Sequence, residues 1–64
     1  MSITIKAARV NAGFTQLDVA KELRKNKQTI ANYENYVTKV PIEIALSMSK
    51  LFGLSVDDIK WSLD

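Results

Sequence analysis

The stretch TQLDVAKELRKNKQTIANYE, Thr15 to Glu34, contains two helix beginnings separated by one short break, and its reading decides the fold. Thr15 opens the pattern Thr-x-x-Asp. Its hydroxyl can accept from the backbone N–H three residues on while the Asp18 carboxylate turns back to the N–H of Thr15, so two otherwise unpaired donors at a helix start are satisfied together. Behind that start Val19, Ala20 and Leu23 recur at helical spacing, which predicts a helix over about 16–23 with one apolar stripe. Arg24, Lys25 and Asn26 interrupt it. Asn26 then caps a third helix that turns Ile30 and Tyr33 inward and runs to about Asn35.

Two short helices joined by about three residues occur in many small helical proteins, so the outward side chains carry the functional information. On a wheel of about 100° per residue with Ile30 inward, Gln28 and Asn32 point nearly the opposite way and Asn35 lies beside them. A primary amide offers a donor and an acceptor side by side, matching N6 and N7 of adenine in the major groove, and a lysine reaches guanine O6 or N7, or a phosphate. Lys27, Gln28 and Asn32 fit these base-reading roles. They are equally ordinary residues for a solvent-facing helix surface, and the wheel does not separate the two readings.

Working outward, Ile5, Ala8, Arg9 and Ala12 recur at helical spacing, which predicts a first helix over about 3–12 stopped by Gly13. Ile3 and Val10 fall on another face, without an assigned partner. After a polar loop with Pro41, a fourth helix over about 42–52 carries Ile44, Ala45, Met48 and Phe52 and stops at Gly53. Ser55-x-x-Asp58 is a second capping box, predicting a short last helix with Ile59 inward. No segment alternates with period two over a useful length, so the expected fold is all-α with five helices.

Composition bounds the chemistry. Sixty-four residues, 47% of them hydrophobic, are enough for one globular domain, near the lower size at which a core holds without help. With no cysteine and no histidine, disulfides, thiolate or imidazole zinc sites, and Cys/His or Ser/His catalytic pairs are all excluded. No glycine-rich phosphate loop is present, and the adjacent Asp57 and Asp58 are explained by the dipole of a helix start. A binding protein without metal, cofactor or small-molecule substrate is expected. No apolar run approaches the ~20 residues of a membrane span, and Lys6 and Arg9 interrupt the apolar residues near the N-terminus, so a cytoplasmic location is expected.

Charge is uneven along the chain. Residues 1–40 carry seven basic groups (Lys6, Arg9, Lys21, Arg24, Lys25, Lys27, Lys39) against three acidic ones (Asp18, Glu22, Glu34), whereas residues 41–64 carry two against four. The cluster from Lys21 to Lys27 is where a polyanion would be met if that stretch is exposed; a solvated, lysine-rich helix end accounts for it equally well.

Taken together, Thr15-Gln16-x-x-Val19-Ala20, Thr29-Ile30, Tyr33-Glu34 and Phe52-Gly53-Leu54-Ser55-x-Asp57-x-Ile59 resemble the signature of the lambda repressor and Cro-like helix-turn-helix family, over about residues 5–60. The resemblance implies a compact five-helix bundle in which helices 2 and 3 form the helix-turn-helix and the third helix lies in the major groove of double-stranded DNA. It implies base reading by Lys27, Gln28 and Asn32, phosphate binding by Gln16 at its helix N-terminus, Thr29 reaching a phosphate or a thymine methyl, and Asn35, Thr38 and Lys39 as a second phosphate clamp. Ala20 falls where the two helices approach closely and needs a small side chain. Arg9 and Glu34 match a pair that in some relatives joins the first helix to the end of the third, the other reading being two unrelated surface charges. Arg24 and Tyr36 stand where the family commonly has glycine. A side chain at positive φ is strained by about 1 kcal/mol, which leaves open a differently shaped turn and loop.

The function so implied is transcriptional regulation, as a phage or bacterial repressor of the Cro type acting on operator half-sites. A protein-binding module on the same fold, an antitoxin or adaptor in which Trp61, Leu63 and Tyr36 engage another protein, is the rival reading. Operator binding suggests a homodimer, with Val56, Trp61 and Leu63 as the candidate contact; Trp61 folding back on the first helix is the alternative.

Overall fold

A computed structural model of the chain describes residues 2–63. In chain order it contains β1 (Ile3–Thr4), α1 (Ile5–Asn11), α2 (Gln16–Leu23), α3 (Lys27–Glu34), α4 (Ile42–Phe52), a 3-10 turn (Val56–Asp58) and β2 (Ile59–Lys60). Four α-helices form among the described residues, not five.

Both departures from the five-helix expectation occur where the chain ends meet. Thr4 is extended (φ −67°, ψ 159°) and its hydroxyl accepts from the N–H of Ala7, so α1 starts at Ile5 and residues 3–4 stay outside it. At the other end the Ser55 side chain accepts from the N–H of Asp57, but only one 3-10 turn follows before Ile59 becomes extended (φ −115°, ψ 135°). The two extended pairs join in parallel, Ile3 beside Ile59 and Thr4 beside Lys60. Ile59 is inward as expected, but from a strand: β-branched side chains suit a pleated, half-buried surface. The same pairing gives Ile3 the partner that helical periodicity could not supply.

The central helices follow their caps. Thr15 accepts from the N–H of Asp18 while the Asp18 carboxylate accepts from the N–H of Thr15, the reciprocal box that starts α2. Donation to the carboxylate from the Thr15 backbone N–H, and secondarily from its side chain, holds the Asp18 carboxyl below its ordinary range by favouring the charged form. Asn26 caps α3 by accepting from the N–H of Thr29 at 2.8 Å. Gly53 (φ 73°, ψ 29°) ends α4 in the left-handed conformation.

Ile5, Val19, Ile30 and Met48, one from each helix, are fully buried at the centre, with Ala8, Ala20, Tyr33, Phe52 and Ile59 around them. Phe14, between α1 and α2, sets its ring 6.1 Å from that of Phe52 and closes one side. Ala20 is buried on α2, which packs directly on α3. Burying Ile, Val and Met side chains contributes about 1.5–3 kcal/mol each, which in a domain of this size positions the helices without metal or disulfide.

Candidate nucleic-acid interface

The turn between α2 and α3 fixes the angle of the candidate reading helix. Arg24 itself takes the left-handed conformation (φ 56°, ψ 43°), and Lys25 N–H donates to Ala20 O at 2.8 Å. The left-handed turn is therefore kept with an arginine in the place of glycine, so the open question of a differently shaped turn is settled at that residue. Tyr36 likewise adopts φ 57° after α3.

On α3, Lys27 and Gln28 are exposed and Asn32 half-buried. Gln28 Nε2 donates to Asn32 Oδ1 at 3.0 Å, one turn along the helix. That bond uses one Gln28 hydrogen and one Asn32 lone pair. The Gln28 carbonyl oxygen, its second N–H and both Asn32 N–H groups remain available outward. Thr29 is half-buried and its hydroxyl donates to Asn26 Oδ1 at 2.8 Å, so donation to a phosphate would require breaking that bond, whereas its methyl group is unaffected.

Gln16, the first residue of α2, is half-buried and its Nε2 donates to Glu34 Oε1 at 3.1 Å. Glu34 in turn is paired with Arg9 through two guanidinium nitrogens, and Arg9 Nη1 donates to Phe14 O at 2.7 Å. The whole of Arg9 and Glu34 is buried, at 8% and 7% exposure, so the pair joining α1 to the end of α3 forms and the reading of two unrelated surface charges is overturned. The chain Arg9, Glu34, Gln16 also orients the amide of Gln16, the first residue of α2.

Asn35, Thr38 and Lys39 are all exposed in the segment between α3 and α4. Tyr36, in the same segment, was expected to meet another protein only in the rival reading. Its hydroxyl donates to Lys60 O at 2.7 Å and accepts from Ile5 N at 3.4 Å, tying the segment to the paired chain ends. The only sequence signal was the bulky residue at a glycine-like position. Of the three residues expected to meet a second copy, Leu63 is 69% exposed, Val56 is half-buried, and Trp61 packs partly against the core with its indole N–H donating to Val56 O at 2.8 Å.

This arrangement, a short helix capped at Asn26 and held at a fixed angle by a left-handed turn with its amides outward, defines a helix-turn-helix. A family model described as helix-turn-helix matches residues 5–59, and the chain belongs to that lambda repressor and Cro-like family, whose members are DNA-binding transcription regulators. No match is found among curated proteins or solved structures. Among the described residues no helix is long and apolar enough to cross a membrane.

Proposed function

We propose that the chain is a sequence-specific binder of double-stranded DNA that represses transcription in the cytoplasm of a bacterium or of a phage-infected host cell, and that it is not an enzyme. The observation that carries this reading is the linked amide pair Gln28 and Asn32 on the outer face of α3, next to Lys27. Amides aimed at an adenine edge and a lysine within reach of guanine or phosphate provide direct readout in the major groove. Gln16 and Thr29 on one side, and Asn35, Thr38 and Lys39 on the other, flank the reader as phosphate contacts that set register without carrying sequence information.

A single small domain covers half of an ordinary operator, so two copies bind half-sites about one helical turn apart. Val56, Trp61 and Leu63 provide one candidate contact between the copies, with Leu63 its open apolar group. The test is a duplex titration across salt: log affinity falls linearly with log salt, by about 0.9 for each phosphate neutralised by a cation. Absence of duplex binding, or binding indifferent to salt, overturns the reading in favour of a protein-binding module.

A further inference from the structure

The segment between α3 and α4, which carries Thr38 and Lys39, is loosely held by its own backbone. Val37 N–H donates to Asn32 O at 2.9 Å, and Pro41 O accepts from Ala45 N–H at 3.0 Å at the start of α4. Between those two points no backbone N–H of Thr38, Lys39 or Val40 donates to another backbone group among the described residues. Val37, Thr38 and Lys39 are exposed, while Tyr36 and Val40 on either side pack against the core. A stretch with so few bonds of its own samples many arrangements unless it is fastened from elsewhere.

Tyr36 does the fastening, at a cost to its own backbone. Its φ of 57° lies in the left-handed region, where a bulky side chain is an outlier that persists only when its surroundings hold it there. The hydroxyl supplies that hold by donating to Lys60 O at 2.7 Å and accepting from Ile5 N–H at 3.4 Å. Among the described residues these are the only hydrogen bonds from residues 35–40 to any element other than α3. Ile5 is the first residue of α1, whose opening N–H groups have no partner inside the helix, and Lys60 is a paired residue of β2. One hydroxyl thus links the loop to both ends of the chain.

We propose that Tyr36 is a positioning residue for DNA binding: through this hydroxyl the paired chain ends hold Thr38 and Lys39 in a single arrangement, so that a phosphate is met without further ordering of the loop. The proposal rests on the reading of those two residues as phosphate contacts. A loop fixed beforehand binds more tightly because less freedom is lost on binding. Since phosphate contacts carry no sequence information, the effect is the same on every duplex.

Tyr36→Phe keeps the ring and removes the hydroxyl. A preferred and a scrambled duplex are titrated at a temperature where circular dichroism shows every variant fully folded, so that a role confined to fold stability leaves affinity unchanged. Tyr36→Phe weakens binding to both duplexes by about three- to tenfold, the range of one net hydrogen bond. The decisive comparison is between backgrounds: with Thr38→Ala and Lys39→Ala already present the same substitution costs less than about twofold, whereas with Gln28→Ala present it costs its full factor. Tyr36→Gly, which takes φ 57° without strain and lacks the hydroxyl, shows the same pattern and serves where the phenylalanine variant folds poorly. Wild-type affinity in either variant, or an equal loss with and without Thr38 and Lys39, overturns the positioning role and leaves the DNA reading intact. If Thr38→Ala with Lys39→Ala binds as the wild type does, or the wild type binds no duplex, the phosphate contacts and the positioning role fall together.

Discussion

Replacing Arg9 by alanine removes the cation that faces Glu34. The Glu34 side chain is 2% exposed and that of Arg9 10%, so the substitution leaves a carboxylate in the interior with the Gln16 amide as its remaining partner. Breaking a buried pair by deleting one member costs about 3–5 kcal/mol, because the other charge is left desolvated and uncompensated. The Gln16 donor and the space opened beside a slightly exposed site place the loss near the lower limit, about 3 kcal/mol. A domain of 64 residues has a total stability of about 3–10 kcal/mol, so the variant is marginal. At about 4–8 °C per kcal/mol, its Tm falls by at least about 12 °C. Replacing both partners, Arg9→Met with Glu34→Leu, removes the charges together and costs far less, because no charge is left without a partner. Urea unfolding followed by Trp61 fluorescence and circular dichroism compares the wild type, Arg9→Ala and the double replacement. An Arg9→Ala loss below about 1 kcal/mol with an unchanged m value would refute the reasoning, since that is the range of an exposed pair.

Three further outcomes are expected. Arg24→Gly relieves a side chain at φ 56° and stabilises by about 0.5–1 kcal/mol in urea unfolding, even though glycine is the looser residue in the unfolded chain; a destabilised variant would show that the turn needs the arginine side chain. Because Asp18 has a depressed pKa when folded, its contribution is fully present above the ordinary carboxylate range and is lost as pH falls through the folded value, so the wild type loses stability in acid relative to Asp18→Asn; parallel pH profiles of the two would contradict this. Lys39→Ala weakens binding to all duplexes alike and lowers the salt slope by about 1, and a loss confined to one sequence would make Lys39 a base reader.

The helices most visible in the sequence are those whose caps satisfy their own ends. Thr15 with Asp18, Asn26 with Thr29, and Gly53 act within one turn, so α2, α3 and the end of α4 are legible from short-range chemistry. The terminal strands were not. Two residues on each side are too few for a period-two pattern, and their pairing joins positions more than fifty residues apart that no local signal connects. Ser55-x-x-Asp58 carries the same start signal as Thr15-x-x-Asp18. It yields a single turn because Ile59 and Lys60 are drawn into that pairing. At the site, the outward direction of Gln28 and Asn32 followed from the helix wheel. Their bond to each other, the orientation of Gln16 by Glu34, and the Tyr36 hydroxyl between Ile5 and Lys60 depend on packing that spacing does not specify.

Whether α3 reads bases is tested most directly by the ratio of affinities for a preferred duplex, selected from a random pool by the wild-type protein, and a scrambled one of equal length at the same salt. The account predicts a large ratio for the wild type. Gln28→Ala reduces it by about 1–3 kcal/mol, with the loss concentrated at particular base pairs and scrambled-duplex affinity nearly unchanged. A Gln28→Ala protein with the wild-type ratio, or one weakened equally on both duplexes, would contradict the assignment of α3 as the reader.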